Sequence, residues 1–265
     1  MPLPGEPDAC FNLDPWMLGL LCLVCACHFV RAPDGRTRLY AAAGWLVTAA
    51  ALVSPLCSLS AALFCAGMGQ QLILLLVAAP LLALAWPPSR ARGIAIWTSA
   101  AAFLLTFWFW HIPHAYDATF ASTWIYWSMQ ASLMLSAIYL WREIFHHPRE
   151  RSPDALAAGA LTFVHMALLG GLLTLADRPL FRIQAAAQDW NLTALQDQRI
   201  GGLLITAPAL MLLVCVTVRV LVKFWASPAP WVAPQATAER KSAQAPPILS
   251  SSARAWEHTD SAVKP

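Results

Sequence analysis

Runs of about twenty apolar residues recur along this chain with almost no interruption, and nothing else constrains its fold as strongly. A run of that length crosses the hydrocarbon core of a bilayer as one α-helix. Inside lipid every backbone N–H and C=O must be satisfied internally, which leaves only helices or closed barrels. The runs are continuous rather than alternating, so helices are expected. Composition agrees, with 58% hydrophobic residues and 12% charged residues. That is roughly half the charge of an ordinary soluble domain. The expected fold is an all-α, polytopic membrane helical bundle.

About seven spans are expected, at Leu13–Val30, Leu39–Leu59, Ala61–Trp86, Ile94–Trp110, Thr123–Phe145, Ala155–Ala176 and Ile200–Trp225. Pro80 should bend or end the third. Lys and Arg in short loops set the orientation. The first loop carries Arg31, Arg36 and Arg38, the third Arg90 and Arg92, and the fifth Arg142, Arg149 and Arg151. Arg219, Lys223, Arg240 and Lys241 follow on the C-terminal side, whereas the N-terminus and the second and fourth loops have none. The expected topology therefore puts the N-terminus outside and the C-terminus in the cytoplasm. The sixth connection, Asp177–Arg199, holds Trp190 among polar residues and reads as a segment lying on the outer surface. Residues 1–226 make the membrane domain. Residues 227–265, rich in Pro, Ala and Ser, read as a disordered cytoplasmic tail. The first dozen residues lack the basic start of a secretory signal, so the first run is expected to stay as a span. A net charge of +3 without a basic stripe argues against nucleic acid as a partner and leaves membrane lipid.

On this topology the polar side chains collect on one side. Trp110-His111-Ile112-Pro113-His114 ends the fourth run, with Tyr116 and Asp117 just after it. Ionisable groups that close to hydrocarbon are functional candidates. Met68, Gln70 and Gln71 fall near the outer end of the third run, and Met129 and Gln130 in the outer half of the fifth. His165 and Met166 lie in the sixth, and Asp197 and Gln198 precede the seventh. Imidazole and thioether are copper ligands, and thioether favours Cu(I). The candidate metal residues are therefore His111, His165, Met68, Met166 and His114. The candidate polar cluster is Gln70, Gln71, Gln130, Tyr116, Asp117, Asp197 and Gln198. Pro113 should turn His114 away from His111, and His165 and Met166 should point about 100° apart.

Cys22-Leu23-Val24-Cys25-Ala26-Cys27-His28 has the look of a thiolate metal motif. It lies about 20 Å from the outer cluster by helical rise, and buried Cys usually acts as a small apolar residue. No GxSxG, HExxH or P-loop pattern is present. Gly170-Gly171 and Gly201-Gly202 read as positions where helices pack closely, with Thr174 and Thr206 bonding back to their own backbones.

At these residues the chain resembles the CtaG family of multi-pass cytochrome c oxidase assembly factors, over about residues 11–225. The blocks are Asp14-Pro15-Trp16, Leu52-Val53-Ser54-Pro55-Leu56, Met68 to Gln71, the run from Leu74 to Leu82 and Trp110-His111-Ile112-Pro113. They continue with Tyr116-Asp117, His165-Met166-Ala167-Leu168-Leu169-Gly170, Arg178-Pro179-Leu180 and Asp197 to Leu203. The resemblance implies a non-enzymatic role in building a haem-copper oxidase in the bacterial inner membrane, with oxidase subunits as partners and copper handled on the outer side. The chain departs from the family's pattern where that pattern has imidazoles. Gln71 and Gly67 stand in place of two histidines of the third helix, and Met129-Gln130 in place of a Glu-His pair.

Two other classes are open, besides a divergent paralogue that has given up metal transfer. One is a transporter, against which no carboxylate is expected to be buried within a span. The other is a redox protein holding haem on His111 and His165.

Overall fold

The structure, a computed structural model, describes residues 11–86, 94–146, 152–181 and 190–226. It is predominantly helical over these residues and contains no strand among them. Contacts divide the chain into two units, Met1–Val216 and Thr217–Pro265. The bundle that positions the site lies in the first.

Helix α1 is Pro15–Arg31. The Asp14 carboxylate caps it by accepting the Trp16 N–H at 2.9 Å, and Pro15 takes the first position, where a missing N–H costs nothing. Helix α2, Gly35–Val53, opens on a capping box. Its Asp34 carboxylate accepts the Thr37 N–H at 2.7 Å, and the Thr37 hydroxyl accepts the Asp34 N–H at 3.3 Å. The run expected as one rod over Leu39–Leu59 breaks at Ser54-Pro55. There α3, Pro55–Ala62, leaves α2 at 50°.

Helix α4, Phe64–Ile73, passes through a π-helical turn, Leu74–Ala78, into α5, Ala79–Leu84. Pro80 therefore neither ends this helix nor breaks it; the wider turn before it absorbs the ring. Helix α6, Ile94–Trp110, is followed at 71° by α7, Pro113–Ala121. Helices α8, Thr123–His146, α9, Ser152–Leu175, and α10, Ala194–Ala226, complete the order.

All seven expected runs are helical, but fewer qualify as complete crossings. Phe64–Leu84 and Pro153–Leu175 are each long and apolar enough to span, and the two bent pairs qualify if each is one span. Two to four candidate spans thus replace the expected seven among the described residues. The reasons are local: α1 has only 17 residues, and α8 is diluted by Trp124, Tyr126, Trp127, Ser128 and Gln130. The outer surface is nonetheless apolar, with Leu20, Leu23, Leu105, Leu168 and Leu172 exposed on three different helices. A surface of this kind belongs against lipid or another membrane protein.

Two prolines shape the interior in the same way. Pro55 has no N–H to give the Ala51 carbonyl four residues earlier, and the Ser54 N–H goes to Ala50. The Gln70 side chain fills that gap, donating from Nε2 to Ala51 O at 2.9 Å. In the π turn the Ala79 N–H bonds Leu74 O, and Pro80 offers nothing to Leu75 O. The Trp141 indole, arriving from α8, donates to Leu75 O at 2.8 Å. Each broken helical bond is replaced by one side chain from another helix.

Helices α9 and α10 touch backbone to backbone at Gly170 and Gly202. A Cβ on Gly170 would stand 2.6 Å from Gly202 O, and one on Gly202 would stand 2.6 Å from Gly170 O. Thr174 bonds back to Gly170 O at 2.8 Å and Thr206 to Gly202 O at 2.9 Å, so each hydroxyl is satisfied beside the opposite glycine. Gly201 packs on Phe64 and Met68, whereas Gly171 faces open space and is not a packing position.

Candidate functional site

His111 is the polar group that the fold treats most unusually. The last turn of α6 tightens, with the His111 N–H bonding Trp108 O at 3.1 Å and the Ile112 N–H bonding Phe109 O at 3.2 Å. The His111 ring turns back on its own helix, Nδ1 lying 2.7 Å from Phe107 O. A carbonyl only accepts, so Nδ1 carries the proton and Nε2 presents a lone pair. The residue is 5% exposed, and Nε2 is buried with no hydrogen-bond partner. Imidazoles that bind metals are usually held in this manner, one nitrogen donating to a carbonyl and the other left free.

On neighbouring helices Gln71 and Met129 meet each other. Trp110 donates to Ser132 Oγ at 2.8 Å, and Ser132 donates to Met129 O at 3.1 Å. The end of α6 is thus level with the turn of α8 that carries Met129. From α4, Gln71 Nε2 meets Met129 Sδ at 3.7 Å. Met68 lies one turn nearer the start of α4, touching the α10 backbone at Gly201. Met68, Met129 and Met166 all belong to one contiguous buried cluster that includes Phe107, whose ring lies 4.4 Å from that of His111. Met166 is deeper, lining a small apolar cavity with Leu75, Phe103 and Trp141.

The other histidines are placed differently. His165 is half-buried, its Nδ1 2.9 Å from Leu161 O and its ring edge-on to Trp108 at 6.4 Å. Its neighbour Met166 is buried, as expected from the 100° between them. Pro113 starts α7, and His114 is exposed there while His111 is buried, so the two do not form a pair. Tyr116 is an aromatic packing residue, 5.4 Å from Phe64 and 4.8 Å from Phe181 by ring centres. Asp117 is half-buried on α7.

Most of the polar cluster builds the scaffold. Gln70 fills the gap left by Pro55. Gln130 donates to Tyr126 Oη at 3.0 Å, and that hydroxyl lies 3.8 Å from Cys57 Sγ. Asp197, fully buried, accepts the Phe64 N–H at 2.7 Å and the Cys65 N–H at 2.9 Å. It caps α4, whose own preceding residue, Leu63, has no side chain to do so. Gln198 accepts the Leu180 N–H at 2.7 Å and donates to Leu173 O at 3.1 Å. Arg199 donates to Ala176 O at 3.2 Å. Three successive residues therefore tie the start of α10 to the start of α4 and the end of α9.

His28 has the same structural character. Trp45 Nε1 donates to its Nδ1 at 3.1 Å, which leaves Nε2 to donate to Ala85 O at 3.4 Å. Cys22 and Cys27 are exposed, and no group of three His, Cys, Asp or Glu able to hold a metal exists among the described residues. His146 Nδ1 lies 2.9 Å from Arg142 O.

Sequence reasoning missed Trp141, Ser132 and Trp45, whose roles depend on partners far along the chain. It also missed Glu143, which is buried on α8 inside the expected fifth span. The expectation of no buried carboxylate in a span is corrected by that residue. The segment between Phe181 and the exposed Trp190, expected on the outer surface, lies outside the described residues, as does the tail from residue 227.

A family model described as cytochrome c oxidase caa3 assembly factor (Caa3_CtaG) matches residues 17–227. No curated protein matches the chain. No solved structure matches it either.

Proposed function

The chain belongs to the cytochrome c oxidase caa3 assembly factor family, Caa3_CtaG, and from that membership we propose a non-catalytic membrane factor that handles copper while a haem-copper oxidase is built. Copper is cargo on this reading. The partners are oxidase subunits and the surrounding lipid, and the membrane is the bacterial inner membrane. The seven helical runs and the basic loops support a topology with the N-terminus and the His111 level facing outside.

One observation carries the copper part. Nε2 of His111 is a buried lone pair with no protein partner, on a ring oriented by Phe107 O. A buried polar atom left unsatisfied costs about 1–3 kcal/mol. A group that offsets this cost only when a ligand arrives suits transient loading. The donors nearby are imidazole and thioether, which fit copper, and they form no closed cage of the kind a resident metal needs.

The test is genetic. A strain lacking the gene, complemented with the native chain or with His111→Ala, is assayed for assembled oxidase and for copper in that oxidase. The expected result is loss of both in the deletion, restoration by the native chain, and poor restoration by His111→Ala at equal membrane abundance. Normal oxidase and normal copper in the deletion strain would overturn the reading.

A further inference from the structure

We propose that His111 Nε2 and the Met129 thioether, with Met68 one turn away, form a site for a soft monovalent cation, Cu(I) or Ag(I), that discriminates against Zn(II). The inference rests on the assembly reading and deepens it by naming the oxidation state of the cargo and the atoms that take it.

Two independent observations support it. The first is the free, buried Nε2 on an immobilised ring. The second is the contact between Gln71 Nε2 and Met129 Sδ at 3.7 Å. A thioether sulfur has two lone pairs. The Gln71 amide engages one and restrains the side chain, which leaves the other available in the buried cluster shared with Phe107 and Met68. The hydrogen bonds from Trp110 to Ser132 and from Ser132 to Met129 O tie the end of α6, one residue before His111, to the turn of α8 that carries Met129.

Charge decides which ion enters. The proposed donors, one imidazole and thioethers, are neutral, and the site is buried. The desolvation cost of an ion in such a place grows with the square of its charge, so a divalent ion is penalised about fourfold more than a monovalent one. Zn(II) offsets that cost with thiolate, carboxylate or several imidazoles, and no group of three His, Cys, Asp or Glu gathers among the described residues. Thioether ligands select Cu(I) on softness as well.

The experiment uses the full chain purified in detergent, alkylated so that the exposed Cys22 and Cys27 do not compete. Ag(I) and Zn(II) are titrated calorimetrically, and Cu(I) is titrated under reducing conditions against a colorimetric chelator. The native chain is expected to take one equivalent of Ag(I) or Cu(I) beyond any bound by Met129→Leu, with no matching Zn(II) uptake. Met129→Leu keeps the core volume, so it separates loss of sulfur from loss of fold. It and His111→Ala should each weaken this binding by roughly tenfold or more, and His165→Ala should not. Equal Ag(I) binding by native and Met129→Leu chains, or equal affinity of the native chain for Zn(II), would overturn the proposal. Those results would leave the oxidase phenotype of the deletion strain untouched, so failure here is distinguishable from failure of the assembly reading.

Discussion

Asp197 Oδ2 accepts the backbone N–H of Phe64 at 2.7 Å, across 133 residues of sequence. The carboxylate also takes the Cys65 N–H, so one side chain on α10 satisfies two of the orphan donors at the start of α4. This orients the helix that carries Met68, Gln70 and Gln71. Replacing Asp197 by Ala should lower stability by about 2–3 kcal/mol, since two buried N–H groups lose their acceptor. Asp197→Asn, which keeps one acceptor oxygen, should cost less. Thermal unfolding in detergent micelles measures both.

Gly170 and Gly171 are adjacent, yet they should respond oppositely to the same change. Ala at Gly170 puts a methyl group 2.6 Å from Gly202 O, which is backbone and has no room to move aside. The expected loss is at least about 2 kcal/mol. Ala at Gly171 meets nothing within 4 Å and should gain up to about 1 kcal/mol from helix propensity. Unfolding of the two variants side by side decides it.

Trp141→Phe removes the donor to Leu75 O and should cost about 1–3 kcal/mol. The reason for the cost is Pro80, which has no N–H to offer that carbonyl. In a Pro80→Ala background the backbone regains a donor, and the effect of Trp141→Phe should shrink by about 1 kcal/mol. Additive effects in the double-mutant cycle would contradict the assignment.

Asp34 supplies a pH dependence. Its hydrogen bonds from the Thr37 side chain and backbone, together with Arg36 nearby, hold its carboxyl below the ordinary value for Asp. A carboxylate with a depressed folded-state pKa contributes stability above its unfolded pKa of about 4, and loses it as pH falls through the folded value. The difference in melting temperature between the native chain and Asp34→Ala should be present at neutral pH and fade in the acid range below pH of about 4. A difference that stays constant down to strong acid would show that the charge plays no part.

His111 and His165 should separate by function. His111→Ala removes a free lone pair and should lower oxidase assembly while the variant stays abundant in the membrane. His165 bonds its own helix and touches Trp108, so His165→Ala should leave oxidase levels near normal. Haem absorbance of the membranes together with an immunoblot of the variant reads both quantities.

Much of the architecture was legible because it is written in local patterns. Helix α6 begins at Ile94 and ends at Trp110, as its apolar run and Pro113 require. The glycine pairs on α9 and α10 announced close packing, which holds at Gly170, Gly201 and Gly202 but not at Gly171, and the separation of His165 from Met166 followed from helical geometry alone. The candidate site was legible only as a set of residue types. Gln70 and Gln71 look alike in sequence, yet one completes α2 at Ala51 and the other touches Met129.

The sequence by itself determined that the chain is helical, apolar on its outside and interrupted at Pro113, because periodicity and proline chemistry act within a few residues. Only the tertiary structure decided which carbonyls were left without donors and which distant side chains met them. It also decided that His111 is buried with an unpartnered nitrogen, while His114 is exposed and His28 uses both of its ring nitrogens. A hydrogen bond depends on which atoms come within about 3 Å of each other. Between helices, that follows from packing rather than from position along the chain.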